Sequence, residues 1–64
     1  MIDKKAEIYR HGKALFEEKG YKNTNVAEIM KAAGFATGSF YRYYPSKDHL
    51  FMEIYNQENV MLKK

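Results

Sequence analysis

The sequence predicts an all-α domain, a small helix-turn-helix bundle of three helices followed by the start of a longer fourth. Three observations carry that prediction. Apolar residues recur at helical spacing in successive segments, and a glycine or proline punctuates the end of each of the first three. Only Phe35 and Ala36 separate Gly34 from Thr37, so the third helix begins about three residues after the second ends, as in two helices joined by a tight turn.

The first helix is predicted from Asp3 to Lys19, with Ile8, Tyr9, Gly12, Leu15 and Phe16 on one face. Asp3 is its N-cap, and Lys19 followed by Gly20 supplies the cation and the left-handed residue that commonly end a helix. Gly12 is a poor helix former, costing ~0.5–1 kcal/mol relative to alanine, so its presence points to a close helix approach there.

After Gly20-Tyr21-Lys22-Asn23, the stretch Thr24 to Glu28 offers an N-cap, with Asn25 and Glu28 spaced as a capping-box variant. A second helix starts near Val26. Val26, Ile29, Met30 and Ala33 form its apolar stripe, Ala27, Glu28, Lys31 and Ala32 point outward, and Gly34 terminates it. Two turns are too short to persist without neighbours.

The third helix is predicted over Thr37 to Tyr44. Ala36, Phe40 and Tyr44 share one face, whereas Thr37, Gly38, Tyr41 and Arg42 share the opposite one. Phe40 and Tyr44 therefore belong to the core, and the polar, small and basic face has no apolar reason to be covered. Pro45 breaks the segment, Ser46 is an N-cap, and Lys47 to Leu62 reads as a fourth helix of ~24 Å, with Leu50, Phe51, Ile54, Tyr55, Met61 and Leu62 on one side. Val60, Met61 and Leu62 have no partner in the rest of the chain, so they fray, dimerise, or pack on a longer natural chain.

Sixty-four residues suffice for one small domain, in which only ~60% of the unfolded surface is buried. A catalytic pocket of ~300–1,000 Å³ is rarely built on so small a core. No Ser/His/Asp arrangement or phosphate-binding fingerprint is readable, so neither an enzyme nor a cofactor is expected. His11 and His49 sit on different helices without ligand-spaced partners, and there is no cysteine, so no metal site is expected either. The chain has no apolar run of signal-peptide or membrane-span length, which makes the cytoplasm the expected location and excludes a membrane partner.

Net charge is +3, distributed unevenly. From Lys19 to Lys47 there are five basic residues against Glu28 alone; the remainder holds six basic and seven acidic ones. The excess positive charge thus lies on the middle of the chain, as expected of a surface that meets a polyanion.

That middle carries the candidate site. At the start of the third helix, Thr37, Gly38 and Ser39 combine free backbone N–H groups, hydroxyls and a residue with no Cβ, all suited to close approach by a phosphate. Arg42 suits a guanine edge or a phosphate, and Tyr41 and Tyr43 carry hydroxyls for phosphate oxygens. Tyr41 is assigned outward, Tyr44 inward and Tyr43 to the flank. Lys47 lies in the first turn of the fourth helix, where the dipole disfavours a cation, and a phosphate there would relieve the conflict. Lys22 and Lys31 read as ordinary surface lysines. A different reading, as a small helical interaction or dimerisation module, would use the apolar face of the helix over 47–62.

The run Leu15-Phe16-Glu17-Glu18-Lys19-Gly20-Tyr21, then Thr24, Val26 and Ile29, Ala33-Gly34-Phe35, Gly38-Ser39-Phe40-Tyr41, Tyr43-Tyr44, and Ser46-Lys47-Asp48 to Leu50 resembles the N-terminal domain of tetracycline-repressor (TetR) family transcription regulators. The resemblance covers nearly the whole chain, 1–64, and implies a homeodomain-like domain whose helix-turn-helix runs over about 24–43. It further implies sequence-specific duplex DNA binding with the helix over 37–44 in the major groove. Operator contacts would fall at Asn25, Thr37, Gly38, Ser39, Tyr41, Arg42 and Tyr43, with Lys47 on a phosphate. Members of the family are usually homodimeric repressors of palindromic operators, released when a small-molecule inducer enters a C-terminal helical domain that these 64 residues do not include. Four positions depart from the family pattern. Asn25 stands where Thr or Ser is usual, Met30 where Ala is usual, Ala36 where a serine often caps, and Gly12 where Ala is common. Met30 must then fit between the two motif helices, and Thr37 is the candidate to replace the missing cap.

Overall fold

A computed structural model describes residues 3–57. Its elements are α1 (Lys4–Lys19), α2 (Val26–Ala33), a 3-10 turn (Thr37–Ser39) running into α3 (Phe40–Tyr43), and α4 (Lys47–Gln57). The fold is an all-α helix-turn-helix bundle.

α1 is capped as its sequence requires. The Asp3 carboxylate accepts from the Ala6 N–H at 3.2 Å, and the Gly20 N–H donates to the Phe16 carbonyl at 2.9 Å. Its buried face consists of Ile8, Gly12 and Phe16, with Tyr9 and Leu15 packed at the edge. On the outer face, Glu7 pairs with Arg10 at 2.6 Å and Lys13 with Glu17 at 3.5 Å. Such exposed pairs contribute ~0.3–0.5 kcal/mol each, so burial of the inner face decides where α1 sits.

α2 and α4 both pack on α1, and the core is formed by Ile8, Phe16, Ile29, Met30, Phe40, Tyr44, Leu50 and Ile54. Met30 is fully buried, which answers how a larger residue fits between the motif helices. Gly12 lets α1 approach α4 closely: a Cβ there would lie 2.7 Å from Leu50 Cδ2, well inside van der Waals contact. An aromatic cluster closes the α1–α4 side, with Phe16, Tyr21 and Phe51 ring centroids 4.9–5.6 Å apart.

Two predicted helices differ from what forms. The segment over 37–44 is not one continuous helix, because its first three residues make a 3-10 turn and Tyr44 is extended, at φ −137° and ψ 131°. Pro45 accounts for the far end, since the residue before a proline is pushed out of the helical region. At the near end Ala36 is extended and carries no capping side chain, so it lies exposed instead of sharing the Phe40 and Tyr44 face. Thr37 does not replace that cap. α4 begins as predicted, with the Ser46 hydroxyl accepting from the His49 N–H at 3.2 Å, and Leu50 and Ile54 are buried. Tyr55, expected on the apolar side, is 39% exposed. The predicted continuation to Leu62, with Val60, Met61 and Leu62, lies outside the described residues.

Candidate nucleic-acid interface

The two motif helices meet at a turn whose left-handed backbone favours glycine. Gly34 sits in the left-handed region at φ 84°, its N–H donates to the Lys31 carbonyl at 3.1 Å, and the Phe35 N–H reaches the Met30 carbonyl at 2.9 Å. This paired closure satisfies the Met30 and Lys31 carbonyls in the last turn of α2 and redirects the chain within three residues.

The segment after the turn is clamped from beneath. Phe40 and Tyr44 are essentially inaccessible, their rings 5.7 Å apart, and the Tyr44 hydroxyl donates to Glu53 of α4 at 3.2 Å. Burial first, and then the neighbouring Glu53 charge, push the Tyr44 phenol well above its ordinary range, so it stays a neutral donor.

On the opposite side the side chains are unspent. Thr37, Gly38, Tyr41 and Arg42 are exposed, Ser39 is half-buried, and Tyr43 packs its ring against the edge of the core. None of Thr37, Ser39, Tyr41, Arg42 or Tyr43 makes a side-chain hydrogen bond among the described residues. The Thr37 and Gly38 N–H groups likewise have no acceptor among them. Nothing lies within 4 Å of where a Gly38 Cβ would be, and its φ is not positive. Neither packing nor conformation therefore demands glycine at that position. The sequence-based orientation of the tyrosines matches this arrangement: Tyr41 is out, with 58% exposure, Tyr44 is in, and Tyr43 is at the flank.

Asn25 stands at the other end of the motif, exposed and fixed by a complete capping box. Its side-chain amide oxygen Oδ1 accepts from the Glu28 N–H at 2.9 Å, while its own backbone N–H donates to the Glu28 carboxylate at 3.1 Å. The Glu28 carboxylate also takes the Lys19 ammonium, which joins the end of α1 to α2. The Lys19 hydrogen bond and the Asn25 N–H hold the Glu28 carboxyl below the usual carboxylate range.

Lys47 is placed differently from a lysine presented to solvent. It is half-buried, its Nζ donates to the Tyr21 and Thr24 carbonyls at 2.9 Å each, and it lies 4.1 Å from the Tyr21 ring centroid. The conflict between this cation and the α4 dipole is thus relieved by the protein's own carbonyls.

Two features had no signal in the sequence. Lys4 and Lys5, in the charge-balanced part of the chain, lie over the Phe35 and Tyr44 rings at 5.6 and 5.2 Å, which brings Lys4 to the motif turn and Lys5 to the end of α3. Thr24, read as part of a cap, is 1% exposed, and its hydroxyl stands 3.2 and 2.9 Å from the Leu15 and Gly20 carbonyls, locking the α1 end to the start of α2. Among the described residues, no helix is long and apolar enough to cross a membrane, and no acidic, histidine or cysteine group could hold a metal ion.

Residues 8–54 match the family model of bacterial regulatory proteins, tetR family. The chain belongs to that family. Among curated proteins, this TetR-family chain is 39% identical over 56 residues to the uncharacterised HTH-type transcriptional regulator YuxN of Bacillus subtilis, covering 88% of the chain and 19% of YuxN. It is 37% identical over 54 residues to the HTH-type transcriptional regulator QacR of Staphylococcus aureus, covering 84% of the chain and 29% of QacR. To the HTH-type transcriptional repressor AcnR of Corynebacterium jeikeium it is 28% identical over 58 residues, covering 91% of the chain and 31% of AcnR. The chain therefore spans between a fifth and a third of the length of these relatives. Within the TetR family the matched segment is the N-terminal DNA-binding domain.

Proposed function

We propose that this TetR-type domain, comprising residues 1–64, reads a specific duplex sequence by placing the Thr37–Tyr43 segment in the major groove, in the service of transcriptional repression in the bacterial cytoplasm. The observation that carries the reading is the unspent polar row on a clamped segment. Among the described residues the side chains of Thr37, Ser39, Tyr41 and Arg42 make no hydrogen bond or ion pair, although the Tyr41 ring packs edge-on against Phe40 at 5.2 Å, while Phe40 and Tyr44 beneath them are fully buried. Gly38 leaves open space for close approach, and the exposed Thr37 and Gly38 N–H groups suit phosphate oxygens. Arg42 supplies either bidentate guanine recognition or phosphate neutralisation, Tyr41 and Tyr43 flank it with hydroxyls, and Asn25 meets the backbone at the start of α2.

In the whole regulator, two such domains in a homodimer would engage a palindromic operator with half-sites ~34–36 Å apart. A C-terminal domain outside this chain would supply dimerisation and the inducer site. A single reading head lacks the avidity of the pair, a factor of ~10²–10⁴, so binding by the 64-residue chain is weak and salt-sensitive.

Fluorescence anisotropy of the chain on a mixed-sequence duplex, titrated from low to moderate salt, tests the reading. Log affinity falls linearly with log salt, and Arg42→Ala either reduces that slope by about one or costs ~1–3 kcal/mol with relaxed base preference. Absence of wild-type binding even at low salt refutes the proposal.

A further inference from the structure

We propose that Lys4, at the start of α1 and outside the helix-turn-helix, is a DNA contact whose ammonium meets the phosphate backbone beside the groove entered by the Thr37–Tyr43 segment. The inference rests on the DNA-binding reading above and extends that surface from the motif to α1. Lys4 is exposed, and its Nζ stands 5.6 Å from the Phe35 ring centroid. Phe35 lies in the turn between the motif helices, directly after the left-handed Gly34 and shortly before Thr37. The fold therefore carries a cation from the first residue of α1 to the entry of the segment that faces DNA.

Three features leave this charge available to an anion. The contact with Phe35 is near the ~6 Å outer limit of a cation–π interaction, so it is given up at little cost. The carboxylates nearest in sequence are engaged elsewhere. Asp3 caps α1 through the Ala6 N–H, and Glu7 holds Arg10 at 2.6 Å and lies 3.6 Å from His11, so that among the described residues Lys4 has no hydrogen bond or ion pair. The dipole of α1, finally, disfavours a cation at its first residue, and a phosphate there supplies the missing countercharge.

The adjacent Lys5 is the contrast. Its Nζ lies 5.2 Å from the ring of Tyr44, at the opposite end of the segment from the turn, and it lines a cavity together with Asp3 and Glu53. Two acids offset its charge, and one of them, Glu53, also accepts from the Tyr44 hydroxyl. The assignment is thus to one place on α1, and positive charge near the N-terminus in general does not account for it.

Duplex anisotropy on the 64-residue chain over about 50 to 200 mM salt, with Lys4→Gln, Lys4→Arg and Lys5→Gln each confirmed as folded by circular dichroism, decides this. A phosphate contact adds about 0.9 to the slope of log affinity against log salt, so over that range wild type is expected to lose roughly 3–4 times more affinity than Lys4→Gln. Lys4→Gln weakens binding to all duplex sequences alike, because a phosphate contact carries no base information. Lys4→Arg keeps the wild-type slope, and Lys5→Gln stays within about 0.3 of it. An unreduced slope in Lys4→Gln overturns the contact. An equal loss of slope in Lys5→Gln overturns it too, since both lysines would then act only as long-range charge. The two readings fail separately: wild-type binding that depends on Arg42 but not on Lys4 leaves the DNA reading standing and removes this contact, whereas a wild-type chain that binds no duplex overturns both.

Discussion

Gly38→Ala separates stability from binding, because the two should move in opposite directions. No heavy atom lies within 4 Å of the position its Cβ would take, and Gly38 does not have a positive φ. Inside the domain the methyl group is therefore free of clashes, and it restricts the unfolded chain. Gly→Ala at such a compatible position stabilises by about 0.4–1 kcal/mol. At the ~4–8 °C per kcal/mol of a domain this size, Tm rises by about 2–8 °C. In the proposed DNA complex the same methyl would occupy the space through which the backbone approaches, and it would move the Thr37 and Gly38 N–H groups away from the phosphate oxygens proposed to meet them. Loss of one charge-assisted hydrogen bond costs about 1.5–3 kcal/mol, equivalent to a roughly 10- to 150-fold weaker Kd. Thermal unfolding followed by circular dichroism, together with duplex anisotropy, reads both quantities on one sample. Undiminished binding by Gly38→Ala refutes the close approach, and a lowered Tm refutes the claim that the space is open.

Two further predictions concern pH. The Glu28 carboxyl is held below its ordinary range by Lys19 and by the Asn25 N–H. The unfolded chain therefore takes up the proton first, so this contribution is present above the usual carboxylate range and is lost as pH falls through the lowered value. Urea unfolding at a series of acidic pH values should show a shallower decline for Glu28→Gln than for wild type, and an unchanged decline would remove Glu28 from the account. The raised Tyr44 phenol works at the other end of the scale. Above about pH 10 the unfolded phenol ionises while the native one keeps its proton, so stability falls as pH rises. Tyr44→Phe should flatten that alkaline decline and, near neutrality, cost about 0.5–1.5 kcal/mol for the lost bond to Glu53; an equally steep alkaline decline in the variant would refute the assignment.

Local chemistry explains why so much of this domain could be read along the chain. Asp3, Asn25 with Glu28, Gly34, Pro45 and Ser46 each act within four residues of themselves, through caps, a left-handed turn and a proline restriction, and each ends or begins a helix where its sequence placed it. Apolar spacing likewise placed Ile8, Phe16, Ile29, Met30, Phe40, Leu50 and Ile54 in the core, because helical periodicity needs no knowledge of the partner. Even the unspent row of Thr37, Gly38, Tyr41 and Arg42 follows from the burial of Phe40 and Tyr44 on the other face. The 3-10 start of the third segment escaped that reading, since spacing alone does not distinguish a 3-10 turn from the first turn of an α-helix.

Tertiary structure alone decided the contacts between residues far apart in the chain. Lys47 meets Tyr21 and Thr24 across 26 and 23 positions, Lys5 reaches Tyr44, and Gly12 faces Leu50. No local pattern encodes such pairs, because each depends on how α4 and the α1 N-terminus are laid against elements they do not adjoin in sequence. The charge count along the chain grouped Lys47 with the cations of the middle segment, as a residue free to meet DNA. In the folded chain its half-buried ammonium also meets two carbonyls and a ring, because the α1–α2 connection passes over the start of α4.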